Sequence, residues 1–259
     1  MNDVNVLKNN GVDLESSLEY LGDMETYDET LNEFLNSVDE KMNQLFTYKN
    51  AKDMANYAIF AHSLKSDARY LGFKALAEIA LSHEMEGKNA NQEFVDAHYD
   101  ELINETKRMI EVAKKYLANA PQPSTPVIEI QEETPNMESI LVVDDSDVVR
   151  NFISRVFNNT FGVILAGDGH QAIQELSKEN NIKGVLLDLN MPNVNGFEVL
   201  DYLKENDLFS KYPVSIITGA DDRDTITRAF TYQIVDMLQK PFNERDVKRI
   251  VERTISYGK

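Results

Sequence analysis

Five residues whose types suit phosphoryl chemistry fall at the ends of short apolar runs in the second half of the chain. Asp144 and Asp145 follow the run 140–143, Asp188 follows 185–187, Thr218 ends 214–218, and Lys240 comes just after 235–238. Three carboxylates on one rim repel one another unless a cation sits among them. Hard oxygen donors on an open rim suit Mg²⁺, which keeps several waters and accepts a phosphate oxygen. A hydroxyl and an ammonium supply what the equatorial oxygens of a transferring phosphoryl group need. Singly, each Asp reads as a helix cap and Lys240 as surface charge. Their recurrence at successive strand ends favours a site.

A second candidate lies in the first half. Tyr57, Phe60, Ala61, Leu64, Ala68 and Leu71 follow helical spacing and should face a core. His62 falls nearly opposite, with Lys65, Ser66 and Arg69 on its own face. An exposed imidazole beside a cation and a small residue suits a phosphohistidine shuttle, with Lys65 offsetting phosphoryl charge and Ser66 leaving room for in-line approach. The plainer alternative is a solvated histidine on a polar helix face.

The elements needed to position these residues are legible. All seven prolines lie at or beyond Pro121, and four fall between 121 and 135. The segment 119–138 is rich in Pro, Gln, Ser, Thr and Glu and reads as a flexible linker. Residues 1–118 carry helical apolar stripes (Leu31, Phe34, Leu35, Val38; Leu102, Ile103, Met109, Ile110, Val112, Ala113), which predict an all-α bundle of four or five helices. In 139–259, five strand–helix alternations predict a doubly wound α/β domain with a parallel sheet, whose ligand site lies at the carboxyl ends of the strands. A flexible linker of this length spans ~25 Å, which brings an encounter between the two halves within reach.

The residues Leu141-Val142-Val143-Asp144-Asp145-Ser146, Leu186-Leu187-Asp188-Leu189-Asn190-Met191-Pro192, Thr218 and Lys240-Pro241-Phe242 resemble a response-regulator receiver domain, from Ser139 to the C-terminus. The resemblance implies a flavodoxin-like fold of five parallel strands, with Asp188 as phospho-acceptor. It also implies Mg²⁺ held by Asp145, Asp188 and the backbone carbonyl of Asn190, with Asp144 acting through water. Lys240 would bind a phosphoryl oxygen, Thr218 would report the phosphoryl group, and Lys240-Pro241 would be cis. The aromatic that the family carries three residues before the lysine is Met237 here. A flexible thioether has no sharp preference between packing states, so the chemistry should survive while a strongly bistable surface is not expected. The segment His62-Ser63-Leu64-Lys65-Ser66-Asp67-Ala68-Arg69-Tyr70-Leu71-Gly72-Phe73 resembles the phospho-acceptor helix of histidine phosphotransfer (HPt) domains, with Ser66 where a glycine is usual. That resemblance implies His62 as a second phosphorylation site.

The expected function is a phosphorelay intermediate passing phosphoryl groups between His62 and Asp188. It would not be an enzyme in its own right, beyond slow self-dephosphorylation at Asp188. Expected partners are a sensor histidine kinase and other response regulators or HPt proteins, with the chain itself a monomer. The sequence ends at Lys259, just past the last receiver helix, so no output module is expected. A net charge of −18 argues against nucleic acid and anionic membranes. The absence of cysteine removes thiol chemistry, and the N-terminus lacks a signal-peptide pattern, which together point to a cytoplasmic protein.

The segment His83-Glu84-Met85-Glu86-Gly87 lacks the second histidine of a zinc helix, and His83 and His98 read as surface residues. Gly167-Asp168-Gly169-His170-Gln171-Ala172 fits a dinucleotide fingerprint, but in a half-sheet too short for two mononucleotide halves. Two alternatives are a phosphorylation-independent adaptor and a Mg²⁺-dependent phosphatase with Asp188 as nucleophile. The phosphatase lacks an evident acid–base residue and cap.

Overall fold

The computed structural model describes residues 3–118, 138–157, 160–178, 181–219 and 223–257. The linker expected at 119–138 lies outside the described residues except for its last position.

The first half is helical. Two short helices, α1 (Asn5–Lys8) and α2 (Leu14–Leu21), precede α3 (Met24–Ala51), α4 (Met54–Tyr70), α5 (Lys74–Lys88) and α6 (Gln92–Leu117). The last four close on themselves as a four-helix bundle, each packing on two neighbours. Local chemistry sets the breaks. Asp23, Asp53 and Asn91 cap α3, α4 and α6 by accepting a backbone N–H in the first turn. Gly72 turns the chain between α4 and α5 at φ +71°, where an added Cβ would lie 2.3 Å from the Asp13 carbonyl oxygen. The predicted stripes face inward: Leu31, Phe34, Val38, Leu102, Met109 and Ala113 are buried, each contributing about 1.5–3 kcal/mol for the larger side chains.

The second half is a five-stranded parallel sheet, β1 (Ser139–Val143), β2 (Gly162–Ala166), β3 (Ile182–Leu187), β4 (Val214–Thr218) and β5 (Ile234–Gln239), in the order β2-β1-β3-β4-β5. Helices α7 (Asp147–Phe157) and α11 (Glu244–Tyr257) cover one face, while α8 (Gly169–Ser177) and α9 (Gly196–Glu205) cover the other. A short α10 (Arg223–Ala229) precedes β5. Strand alternation sorts the core. Ile140, Val142, Leu186 and Ile217 join the α7/α11 side, while Leu141, Val143, Val185 and Ile216 join the α8/α9 side.

The two halves dock. Tyr70 at the end of α4 packs on Phe152 of α7 and Phe242 after β5, with ring centroids 6.2 and 5.8 Å away. The apolar core of the bundle therefore runs on into the α7/α11 side of the sheet.

Candidate functional site

The strand order reverses between β1 and β3, so the crevice of this sheet opens where those strands end. Val143 pairs with Leu187, and the Asp188 N–H donates to the Val143 carbonyl at 2.8 Å. That register sets Asp144 and Asp188 side by side. On the far side Thr218 pairs with Gln239, and the Lys240 N–H donates to the Thr218 carbonyl at 2.8 Å. Gly196 packs directly behind the acidic rim, where a Cβ would stand 2.1 Å from the Asp188 carbonyl oxygen. Asn195 caps α9 in a capping box with Glu198, which anchors the loop that carries Asn190.

Three carboxylates and one ammonium converge here. One carboxylate oxygen from each of Asp144, Asp145 and Asp188 lies within 4.8 Å of the others. Lys240 bridges two of them, donating to Asp188 Oδ2 and standing 2.6 Å from Asp144 Oδ2 as an ion pair. The backbone N–H of Asn190 donates to Asp188 Oδ1 at 3.1 Å. Asp144, Asp188, Thr218 and Lys240 are all buried. Burial pushes Asp144 up to about 6, with the charge of Asp188 adding to it and Lys240 opposing. Burial and the neighbouring Asp144 likewise push Asp145 up to about 6. Burial also works against the Lys240 charge, but the carboxylates of Asp144, Asp188 and Asp145 outweigh it and hold the ammonium above the usual lysine range. One ammonium leaves three clustered carboxylates undercompensated by two charges. An all-oxygen set in that state fits a hard divalent cation such as Mg²⁺.

His62 stands opposite, on α4. The expectation of a solvent-exposed imidazole is not met: His62 is 1% exposed, because the α/β domain covers the polar face of α4, and Lys65, Ser66 and Asp67 are buried with it. The Nε2 atom of His62 has no hydrogen-bond partner and lies 3.2 Å from where a Cβ on Gly219 would stand, directly after Thr218. His62 and Asn190 line the same 310 Å³ cavity. The face predicted to carry His62, Lys65, Ser66 and Arg69 is therefore the contact face. Arg69 at its edge remains partly exposed.

Glu84 of α5 was not singled out by sequence. Its Oε1 accepts from His62 Nδ1 at 2.8 Å, and its Oε2 accepts from Lys65 Nζ at 2.6 Å. Burial opposes the Glu84 charge, but the hydrogen bonds and charges of His62 and Lys65 hold its carboxyl well below the usual carboxylate range. Burial lowers Lys65, against the pull of Glu84. Because a carboxylate only accepts, Nδ1 carries the proton, and in the neutral ring the lone pair is then on Nε2. Lys88 adds a further donor to Glu84 Oε1 at 2.6 Å.

His83 also departs from expectation. It is buried, with Nδ1 2.7 Å from the Tyr57 hydroxyl, whereas His98 is exposed as expected. The glycine-rich turn 167–169 caps α8 through Asp168, which accepts from the Gln171 N–H at 2.8 Å. A Cβ at Gly169 would meet the Val194 carbonyl at 2.6 Å. Gly169 thus serves backbone packing, while Gly167 and Asp168 line a cavity shared with Asp145. Lys240-Pro241 is cis, as the resemblance implies. No helix among the described residues is long and apolar enough to cross a membrane.

Comparison with known proteins identifies each half of the chain. The Hpt domain family matches residues 19–114, and the response regulator receiver domain family matches 140–252. The chain is 32% identical over 117 residues to the two-component response regulator ORR11 of Oryza sativa subsp. indica, covering 45% of this chain and 80% of that protein. It is 31% identical over 126 residues to a probable methanogenesis regulatory protein, FilR2, of Methanothrix harundinacea, covering 46% of this chain and 81% of that protein. Among solved structures, the chemotaxis protein CheY4 of Vibrio cholerae aligns over 46% of this chain and 99% of its own, at 23% identity and a TM-score of 0.42. The chain thus belongs to the two-component response regulators, and it is a phosphorelay protein that joins an Hpt domain to its receiver.

Proposed function

We propose that the chain moves a phosphoryl group between His62 Nε2 and Asp188 within one molecule. The observation that carries this reading is the unpartnered, buried Nε2 of His62, held against Gly219 at the rim formed by Thr218, Lys240 and Asp188. From Asp188 to His62, the lone pair on Nε2 attacks phosphorus, the N–P bond forms, and the P–O bond to the Asp188 carboxylate breaks. Nδ1 keeps its proton, donated to Glu84 Oε1, throughout. The reverse step breaks N–P and forms O–P on Asp188.

Lys240 and the Thr218 hydroxyl take the equatorial phosphoryl oxygens, and Lys65 supplies positive charge on the histidine side. Asp145, Asp188 and the Asn190 carbonyl would hold Mg²⁺, with Asp144 reached through water. Bound there, the ion neutralises phosphoryl charge. Asp188 returns to the free carboxylate by slow hydrolysis, and the chain turns over no other substrate. External exchange is with a sensor histidine kinase and with other receivers or HPt proteins. The chain acts as a cytoplasmic monomer without nucleic acid or membrane. The domains are taken as 1–118 and 139–259.

The test is intact-mass spectrometry after incubation with Mg²⁺ and acetyl phosphate, on wild type, His62→Gln and Asp188→Asn. The expected result is an adduct that requires Asp188, with acid-labile label on His62 only when both residues are present. Label on Asp188 that never reaches His62 would sink the internal exchange.

A further inference from the structure

The domain interface closes both phosphoryl sites. His62 and Lys65 are buried, as are Asp188, Asp144 and Lys240, while Asp145 at the edge of the contact is half-buried. Three sets of contacts, none of them part of the phosphoryl chemistry, hold this closure. Arg155 of α7 donates to Glu29 at 3.0 Å, Glu33 at 3.1 Å and Thr30 at 3.2 Å, all on α3. The Ser146 hydroxyl donates to Asp67 at 2.7 Å, and Asp67 is also paired with Lys41. The Phe242 N–H donates to the Tyr70 hydroxyl at 3.2 Å. In-line transfer to Asp188 needs the leaving group opposite the attacking oxygen, on the side where His62 stands.

We propose that the docked chain is reserved for internal exchange, and that phosphoryl groups enter or leave only through an undocked form whose population the Arg155 clasp sets. The inference rests on the exchange reading above and adds its gate. An external kinase, phosphohistidine or small acyl phosphate then acts at its intrinsic rate multiplied by the open fraction. Among the described residues, the acidic cluster consists of Asp144, Asp145 and Asp188, all from the receiver, so opening leaves those three together.

The absence of cysteine allows a direct test. Glu33→Cys/Arg155→Cys would be joined by a bismaleimide of matching reach, with the same protein capped singly by N-ethylmaleimide as control. Efficient cross-linking within one chain is expected. Labelling of Asp188 from acetyl phosphate should slow by at least about tenfold in the cross-linked chain, because the rate follows the open fraction. Arg155→Glu, which sets like charges against Glu29 and Glu33, should label several-fold faster than wild type by the same relation. A failure to cross-link within the chain, equal labelling of linked and capped protein, or an unchanged rate in Arg155→Glu would overturn the gate. Internal exchange is read separately, by labelling before cross-linking and then following acid-labile phosphate on His62. Gated entry without that label would retain the gate and remove the exchange.

Discussion

His62 donates from Nδ1 to Glu84 Oε1 at 2.8 Å, across the groove between α4 and α5, and the same carboxylate takes Lys65. One buried carboxylate thus fixes the tautomer of the histidine and the position of its neighbouring cation. Glu84→Gln removes the charge while keeping the shape. A lost charged hydrogen bond is worth ~1.5–3 kcal/mol, so the rate at which His62 acquires acid-labile phosphate should fall roughly tenfold to a hundredfold. Nitrogen chemical shifts of the imidazole should show a mixture of tautomers. An unchanged rate with a single tautomer would show that Glu84 serves packing alone.

The acidic rim should trade stability for chemistry. Burial and mutual repulsion raise Asp144 and Asp145 to about 6. A carboxyl raised in the folded state costs stability above its unfolded value, and the cost disappears as pH falls through 6 toward 4. Without divalent cations, Asp145→Asn should therefore stabilise the chain at pH 7, by on the order of 1–2 kcal/mol. Added Mg²⁺ should raise the melting temperature of wild type and leave the variant unmoved. A destabilised Asp145→Asn would contradict the repulsion argument.

His83 gives the opposite pH signature. Burial lowers it to about 4 from an ordinary 6.5, so the folded state prefers the neutral ring. The unfolded chain binds the extra proton between those values, and stability falls as pH drops from about 6.5 through 4. The full effect is about 3 kcal/mol. His83→Gln, which can still meet the Tyr57 hydroxyl, should lose less stability than wild type over this window in chemical denaturation. Parallel curves would place the acid sensitivity elsewhere.

Tyr70→Phe keeps the ring between Phe152 and Phe242 but leaves the buried Phe242 N–H without its acceptor. An unsatisfied buried donor costs ~1–3 kcal/mol, charged here to docking. Hydrogen exchange at the Phe242 amide should accelerate, with little change in the bundle helices. Loss of protection throughout α4 would indicate instead that Tyr70 supports the bundle fold.

The strand-end residues were readable because a parallel sheet delivers them by register alone: each apolar run marks its strand, and the next residue must reach the crevice. The bundle was readable for a similar reason, since Leu31, Phe34 and Val38 repeat at helical spacing. His62 shows where such reading stops. Its face, with Lys65, Ser66 and Arg69, is polar at helical period, and polarity looks the same whether water or a polar partner domain covers it. Glu84 escaped because its partners lie 19 and 22 residues away on another helix. Its neighbour His83 drew attention to a metal pattern that fails. Ser146, Asp67 and Arg155 carry no pattern of their own, and only the docked arrangement gives them a role.

The aromatic cluster of Tyr70, Phe152 and Phe242 gives the domain contact a thermal character. Apolar association weakens on cooling, because its driving force near room temperature is entropic. Parting these rings in the cold costs less, so the undocked population grows as temperature falls. Cells growing in the cold would then hold more of this protein open to outside phosphoryl donors, and warming would turn the chain back toward exchange between its own two domains.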